Sequence, residues 1–353
     1  MSGAIFCFNF MDLWAIIEPS TKFFSANMAK AKIIGTGSYL PKKVLSNADL
    51  EKMVDTSDEW IVTRTGMRER RIAAKDEFTS TLGVKAAKKA IKNAGIKPQD
   101  VDLILVATLT PDYIFPSTAC LIQSELEIEA AALDIQAACS GYIYGLSLAK
   151  AYVEAGLYKN ILLVASEKLS SIVDYEDRST CVLFGDGAAA CVVSSEGKGL
   201  VLGDVVLGSD GCQADILIMP AGGSRNPATS DTVQAKMHAI KMGGQEVFKH
   251  AVRRMESSSK ECIEKAGLKE EDIRWLIPHQ ANIRIIDAIA KRFHVPSDRV
   301  VITVDKYGNT SASTIGIALD ELLSENKVSP GDTILLTAFG AGLTWGSMVL
   351  TNE

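Results

Sequence analysis

The chain has 353 residues, 47% apolar and 23% charged, which is enough to bury a large core and excludes wholesale disorder. Its net charge of −6 excludes nucleic acid as a main partner, because neutralising phosphates takes a basic surface. Seven cysteines, an odd number with no C-x-x-C pair and no Cys/His cluster at zinc spacing, fit a reduced cytosolic enzyme with no metal site.

Residues 1–27 do not match the rest of the chain. Their longest apolar run is too short to span a membrane, and they lack both a basic secretory n-region and the Arg-rich character of a transit peptide. They are expected to be a disordered extension or a mis-assigned start, with Met28 as the functional start and organelle targeting as the lesser alternative. The first clean strand pattern is "AKIIGTGSYLP". Next, "AAKKAIKNAGIKPQDVDLILVA" (86–107) predicts a helix, an AG turn, an acidic pair and a strand.

The run Ala132-Leu133-Asp134-Ile135 predicts a buried strand, and small residues then turn the chain at Cys139 into a helix from Tyr142 onward. A cysteine at a helix N-terminus has its pKa lowered by unsatisfied N–H groups and the dipole, and the same amides can hold an oxyanion. The plainer alternative is a small core residue. The strand "NILLVASE" (160–167) comes next, and "SSEGKG" (194–199) is a small polar turn.

Beyond that turn the pattern returns. "SSKECIEKAGLKEEDIRWLIPH" (258–279) repeats 86–107 at a distance of 172 residues. "VDKYGNTSASTIGIAL" (304–319) repeats the Cys139 turn, and "TILLTAFG" (333–340) repeats 160–167. The near-constant offset predicts a duplicated α/β unit with layered mixed sheets, one half at 28–199 and the other at 200–353. Such duplication brings Cys139, His279 and Asn309 to equivalent strand ends.

Of four histidines, His250 and His294 are expected at the surface and His238 is unplaced. His279 ends an apolar strand and is expected to open a helix at Gln280, where it can act as general base or hydrogen-bond donor. Asn309 can be a helix N-cap or an amide donor aimed at a carbonyl. The other cysteines in the clean part of the pattern are expected to be inert, in helices or strands. "GTGSYLP" and "FGDGAAA" lack dinucleotide spacing and no Walker sequence exists, so nucleotide-driven redox and phosphoryl chemistry are rejected. "FGAGLTWGS" (339–347) is expected to close one wall of the site with its amides.

From Met28 to Glu353 the chain resembles beta-ketoacyl-acyl carrier protein synthase III, an initiating condensing enzyme of thiolase fold. The stretches that carry the resemblance are "TSDEWIVTRTGMRER", "AACSG", "FGDGAAA", "PHQANIRII", "GNTSAS" and "FGAGLTWGS". The resemblance implies αβαβα layering and a Cys139-His279-Asn309 set. Cys139 would take the acyl group of acetyl-CoA, and His279 and Asn309 would bind the carbonyl of malonyl-acyl carrier protein as it loses carbon dioxide. The amides of Cys139 and Ala341 would form the oxyanion hole. Trp60, Arg64 and Arg178 would contact CoA, Asn282 the pantetheine arm, and Phe115 a partner subunit's acyl pocket; Phe248 joins the substrate contacts. No cofactor is implied, acyl-CoA being a substrate, and the protein would be a cytoplasmic homodimer without membrane insertion. Basic residues Lys249, Arg253 and Arg254 on one helix, and Arg284, Lys291 and Arg292 on the one after His279, gather near the proposed cleft, and of these Lys249, Arg284, Lys291 and Arg292 are expected to dock the acidic carrier protein. Ala341 and Leu343 stand where the family often has Gly and Phe, and Ser179 where Gly is usual, which opens the primer preference. Branched or longer primers, or secondary-metabolite condensation, are the alternative.

Overall fold

Nine strands form one mixed sheet in a computed structural model that describes residues 29–353. The expectations for residues 1–27, and for Met28 as the start, lie outside the described residues. The strands are β1 (Lys32–Tyr39), β2 (Leu103–Ala107), β3 (Ala131–Ile135), β4 (Asn160–Glu167), β5 (Gly187–Ser194), β6 (Leu200–Ser209), β7 (Trp275–Pro278), β8 (Thr333–Gly340) and β9 (Thr344–Asn352). Their order is β7-β8-β9-β6-β1-β5-β4-β2-β3.

The order is a repeat. From one edge inward, β3, β2 and β4 run parallel, and β5 and β1 follow antiparallel. From the other edge, β7 and β8 run parallel, and β9 and β6 follow antiparallel. A single parallel bridge from Leu276 to Val300 occupies the place of the missing outer strand. The two sets join only where β1 meets β6, at Lys32–Val201 and Ile33–Leu200.

Strand alternation divides the side chains between cores. Leu103, Leu105, Ile161 and Leu163 face a central core, with Ile334 and Leu336 from the other set. That core holds helix α3 (Gly141–Glu154) through Tyr142 and Leu146, and helix α6 (Ser313–Ser324) through Ile315 and Leu319. Both helices are apolar on most faces because strands surround them. Ile104, Val106 and Leu162 point outward instead, under helix α2 (Thr79–Ala94). Leu276, Leu335 and Val349 do the same under helices α4 (Gly244–Lys265) and α5 (Ile283–Arg292). The layers therefore run helix, sheet, helix, sheet, helix, as the resemblance implies.

Three expectations are corrected. The strand 132–135 is present as β3, but it is the sheet edge rather than buried, with Leu133 39% exposed, because no strand among the described residues lies beyond it. The helix after His279 starts at Ile283, not Gln280, because the Gln280 side chain is fully occupied inside and Asn282 caps the helix. Cys212 lies on an exposed 3₁₀ turn, Gly211–Ile216, outside regular helix or strand.

Candidate active site

The carboxyl ends of β3, β7 and β8, the usual place for a site in parallel α/β architecture, lead to residues that meet: the end of β8 lies on the Cys139 turn after β3, and His279, after β7, reaches Thr314 on α6, the helix that packs on the same turn. After β3 the chain makes a 3₁₀ turn, Ala138–Ser140, and enters α3. Ala138 has φ +45°, and Ser311, 173 residues later, has φ +52° at the equivalent place before α6. Small residues let these turns meet: a Cβ on Gly141 would stand 3.0 Å from the Ala107 Cβ and 3.4 Å from the Ala312 Cβ.

Cys139 is 7% exposed. The end of β8 covers its turn so closely that a Cβ on Gly340 would lie 2.6 Å from the Cys139 nitrogen. The hydroxyls of Ser140 and Thr344, 2.7 Å apart, tie the turn to the start of β9. Thr344 Oγ1 also reaches the carbonyls of Ala137 (2.9 Å) and Ala341 (3.0 Å). The thiol pKa is pushed up to about 12 by burial, with the Glu167 carboxylate adding to the rise. This corrects the expectation of a lowered value: in a dry turn, desolvation of the thiolate exceeds the attraction of the helix N-terminus.

His279 directly follows β7, and its N–H donates to the Thr337 carbonyl at 2.8 Å. Its Nδ1 lies 2.7 Å from Thr314 Oγ1 on α6, while its Nε2 is buried without a partner. Burial lowers its pKa to about 3, so the imidazole is neutral at physiological pH. The Thr314 hydroxyl can accept from Nδ1 or donate to it, which leaves Nε2 either a bare acceptor or a donor. Gln280 anchors the strand end, donating to the Pro278 carbonyl (2.7 Å) and accepting from the Thr303 amide (2.8 Å).

Asn309 is held by its backbone between Leu183 and Gly185. Its Oδ1 accepts the Ser311 N–H at 2.8 Å, so the side chain caps the turn and leaves Nδ2 as a donor. Capping and donation are therefore compatible. Cys139, His279 and Asn309 all border one segment, Asn309–Thr314, at the start of α6.

Trp60 on helix α1 (Asp58–Thr65) has the guanidinium carbons of Arg64 and Arg178 at 4.9 and 5.1 Å from its ring centre. Arg284 lies 5.6 Å from the Phe248 ring. Asn282 spends its Oδ1 on the Arg284 amide (2.9 Å). Phe115 is 84% exposed beside Ile114 at 85%. In the basic cluster, Lys249 pairs with Glu246 (2.7 Å), Arg292 with Glu256 (3.4 Å) and Arg254 with Asp210 (3.3 Å). Arg284 and Lys291 make no ion pair among the described residues. No group of three or more His, Cys, Asp or Glu among the described residues could hold a metal. Glu167 and Thr314, which no sequence motif singles out, also line this end, as does Ser311, which lies within "GNTSAS". The one signal for Glu167 is a charge closing an otherwise apolar strand, where the repeat has Gly340.

Residues 133–211 match the family model described as 3-Oxoacyl-[acyl-carrier-protein (ACP)] synthase III, and residues 263–352 match its C-terminal model. The Beta-ketoacyl-[acyl-carrier-protein] synthase III of Chlamydia muridarum is 61% identical over 323 residues, covering 91% of this chain and 99% of the relative. That of Caldanaerobacter subterraneus is 55% identical over 321 residues, covering 91% and 97%. The crystal structure of 3-oxoacyl-[acyl-carrier-protein] synthase III from Aquifex aeolicus superposes with a TM-score of 0.83 at 49% identity, covering 91% of this chain and 99% of that one.

A neutral buried histidine leaves a mark on stability. The unfolded chain takes up a proton at His279 below about pH 6.5, which the folded chain refuses until about pH 3, so this group makes stability fall as pH falls through that window. His279→Gln removes the effect: between pH 7.5 and pH 5 the variant should lose about 2 kcal/mol less unfolding free energy than the unmutated chain. Urea unfolding at the two pH values checks this; equal losses would show that His279 is charged in the folded state.

Proposed function

The chain belongs to the beta-ketoacyl-[acyl-carrier-protein] synthase III family, and from that premise we propose that it condenses an acyl-CoA primer, acetyl-CoA, with malonyl-acyl carrier protein. The product is the 3-oxoacyl-acyl carrier protein that begins fatty acid synthesis. The observation that carries the reading is that Cys139, His279 and Asn309 are all buried and all border the segment Asn309–Thr314, with His279 Nε2 left without a partner.

In the first half-reaction the Cys139 sulfur attacks the acyl-CoA carbonyl. The thiol proton passes to the departing CoA sulfur, leaving an acyl thioester on Cys139. In the second, the malonyl thioester oxygen lies between Nε2–H and Nδ2–H. Carbon dioxide leaves, and the two neutral donors hold the enolate oxygen without protonating its carbon. That carbon attacks the acyl thioester, the amides of Cys139 and Ala341 hold the oxyanion, and its collapse breaks the bond to the Cys139 sulfur, which takes up a proton as the 3-oxoacyl product leaves. A histidine kept neutral by burial suits this role better than an imidazolium, which would quench the carbanion.

Trp60 with Arg64 and Arg178 takes the adenine and phosphates of CoA, through stacking and charge-assisted bonds. Asn282 Nδ2 and Phe248 contact the pantetheine arm. The open edge of β3, with Leu133, Ile114 and Phe115 exposed, supports a homodimer in which Phe115 enters the partner's acyl pocket. The two strand sets support the division into halves at 28–199 and 200–353. No described helix is long and apolar enough to cross a membrane; the cytoplasm is proposed because CoA and carrier-protein thioesters are its reactants.

Incubation with acetyl-CoA should add one acetyl group at Cys139, detected by peptide mass spectrometry, and Cys139→Ala should abolish it. An acetyl group on another cysteine of the unmutated chain would overturn the assignment. Alanine at His279 or Asn309 should slow malonyl decarboxylation by about 10²–10³ and acetyl transfer far less; equal loss would make His279 chiefly the base for Cys139.

Arg292 and Lys249 are partly neutralised within their own helices' surroundings, so the free cations Arg284 and Lys291 are the better carrier-protein contacts. Arg284→Glu with Lys291→Glu should raise the KM for malonyl-acyl carrier protein at low salt and leave acetylation unchanged. A normal KM in that variant would move the docking surface elsewhere.

A further inference from the structure

A buried acceptor with capacity to spare and a buried hydroxyl without a partner stand beside Cys139. Glu167 ends β4 and is fully buried. Its Oε2 accepts from Thr108 Oγ1 (3.2 Å), Leu109 N (3.1 Å), Thr110 N (3.2 Å) and Thr110 Oγ1 (2.7 Å). Its Oε1 receives only the shared Leu109 N–H, at 3.2 Å. The Ser311 hydroxyl is buried and makes no hydrogen bond of good geometry, although it faces both the Glu167 carboxyl and the Cys139 thiol.

The backbone places Ser311 there independently. Glu167 pairs with Gly187 across β4 and β5, and a Cβ on Gly187 would lie 3.4 Å from Thr310 Cγ2. On the other side, Ala312 packs against Gly141 of the Cys139 turn. Ser311, between Thr310 and Ala312, therefore spans from the end of β4 to the nucleophile. It keeps a side chain at φ +52°, where glycine would be easier, and its N–H orients Asn309.

Resting on the reading of Cys139 as the acylated residue, we propose that Ser311 and Glu167 are positioning residues for that sulfur. The Ser311 hydroxyl donates to the Cys139 sulfur while it carries negative charge, and turns to Glu167 Oε1 once the sulfur is acylated. Only the hydroxyl rotates; Ser311 loses no proton and forms no bond to carbon. A thiolate in a dry turn needs such a donor, whereas a thioester sulfur accepts poorly and would leave the hydroxyl orphaned without Glu167. The Glu167 carboxylate itself opposes the thiolate, and burial raises its pKa to about 7, so its charge changes across neutral pH.

Other charged groups nearby are engaged elsewhere. Lys168 Nζ donates to the carbonyls of Ala74 and Glu77, Asp112 holds Ser80, Asp186 holds Ser170, and His279 is neutral.

The test is the rate of Cys139 alkylation by iodoacetamide from pH 6 to 9.5, measured by mass spectrometry, with acetylation by acetyl-CoA recorded in the same samples. Ser311→Ala removes a hydroxyl without a resting partner and should fold normally; it should slow alkylation at pH 8 about tenfold. Glu167→Gln should act in the opposite sense, speeding alkylation above pH 7 and abolishing the inflection near that value. An unchanged rate in Ser311→Ala, or equal slowing by both variants with the pH profile unaltered, would overturn the proposal. If Glu167→Gln does not fold, Ser311→Ala decides alone. Expected alkylation profiles without acetylation of the unmutated chain would sink the functional reading and leave the positioning role standing.

Discussion

Gly340 has no room for a side chain, because a Cβ there would stand 2.6 Å from the backbone nitrogen of Cys139. Much else at this end of the molecule depends on that contact. It requires the end of β8 to lie directly on the Cys139 turn, so a strand from one half must reach the turn of the other. The two halves can approach this closely only if the residues between them are small, which is why Ala107, Gly141 and Ala312 meet where the central helices begin. The hydroxyl contact between Ser140 and Thr344 then fixes the turn against the start of β9.

Such close packing leaves little room for water, and the absence of water governs the electrostatics. Burial moves each titratable group of the site toward its uncharged form: the thiol up to about 12, the imidazole down to about 3, the Glu167 carboxyl up to about 7. The resting site is thus a thiol beside an imidazole rather than a thiolate–imidazolium pair. Charge is created only during reaction, where it meets donors already in place. That order suits a carbanion chemistry in which any free acid would be destructive.

Much of this was legible in the sequence. The offset of about 172 residues between repeats anticipates the repeated strand order, because duplicated sequence folds into duplicated topology. The strand-to-helix placement of Cys139 and the strand end at His279 follow from local periodicity. What was not legible depends on contacts distant in the chain. The exposure of β3 is a property of sheet order, not of its own alternation. The raised thiol pKa required knowing that the turn is covered, and the helix terminus by itself points to the wrong sign. Glu167 and Ser311 looked like an ordinary strand end and an ordinary turn; only the spare capacity of Oε1 and the unpartnered hydroxyl set them apart.

The chemistry rests on a pocket that keeps its histidine uncharged while it is ready to react. The most direct measurement is the pH dependence of the His279 ring-nitrogen chemical shifts in ¹⁵N-histidine-labelled protein, assigned against His279→Gln. A ring held dry should show one neutral tautomer from pH 8 down to pH 5, with no titration in that range. A midpoint near the ordinary histidine value of 6.5 would contradict this, showing that water reaches the ring and that the donors act as charged groups.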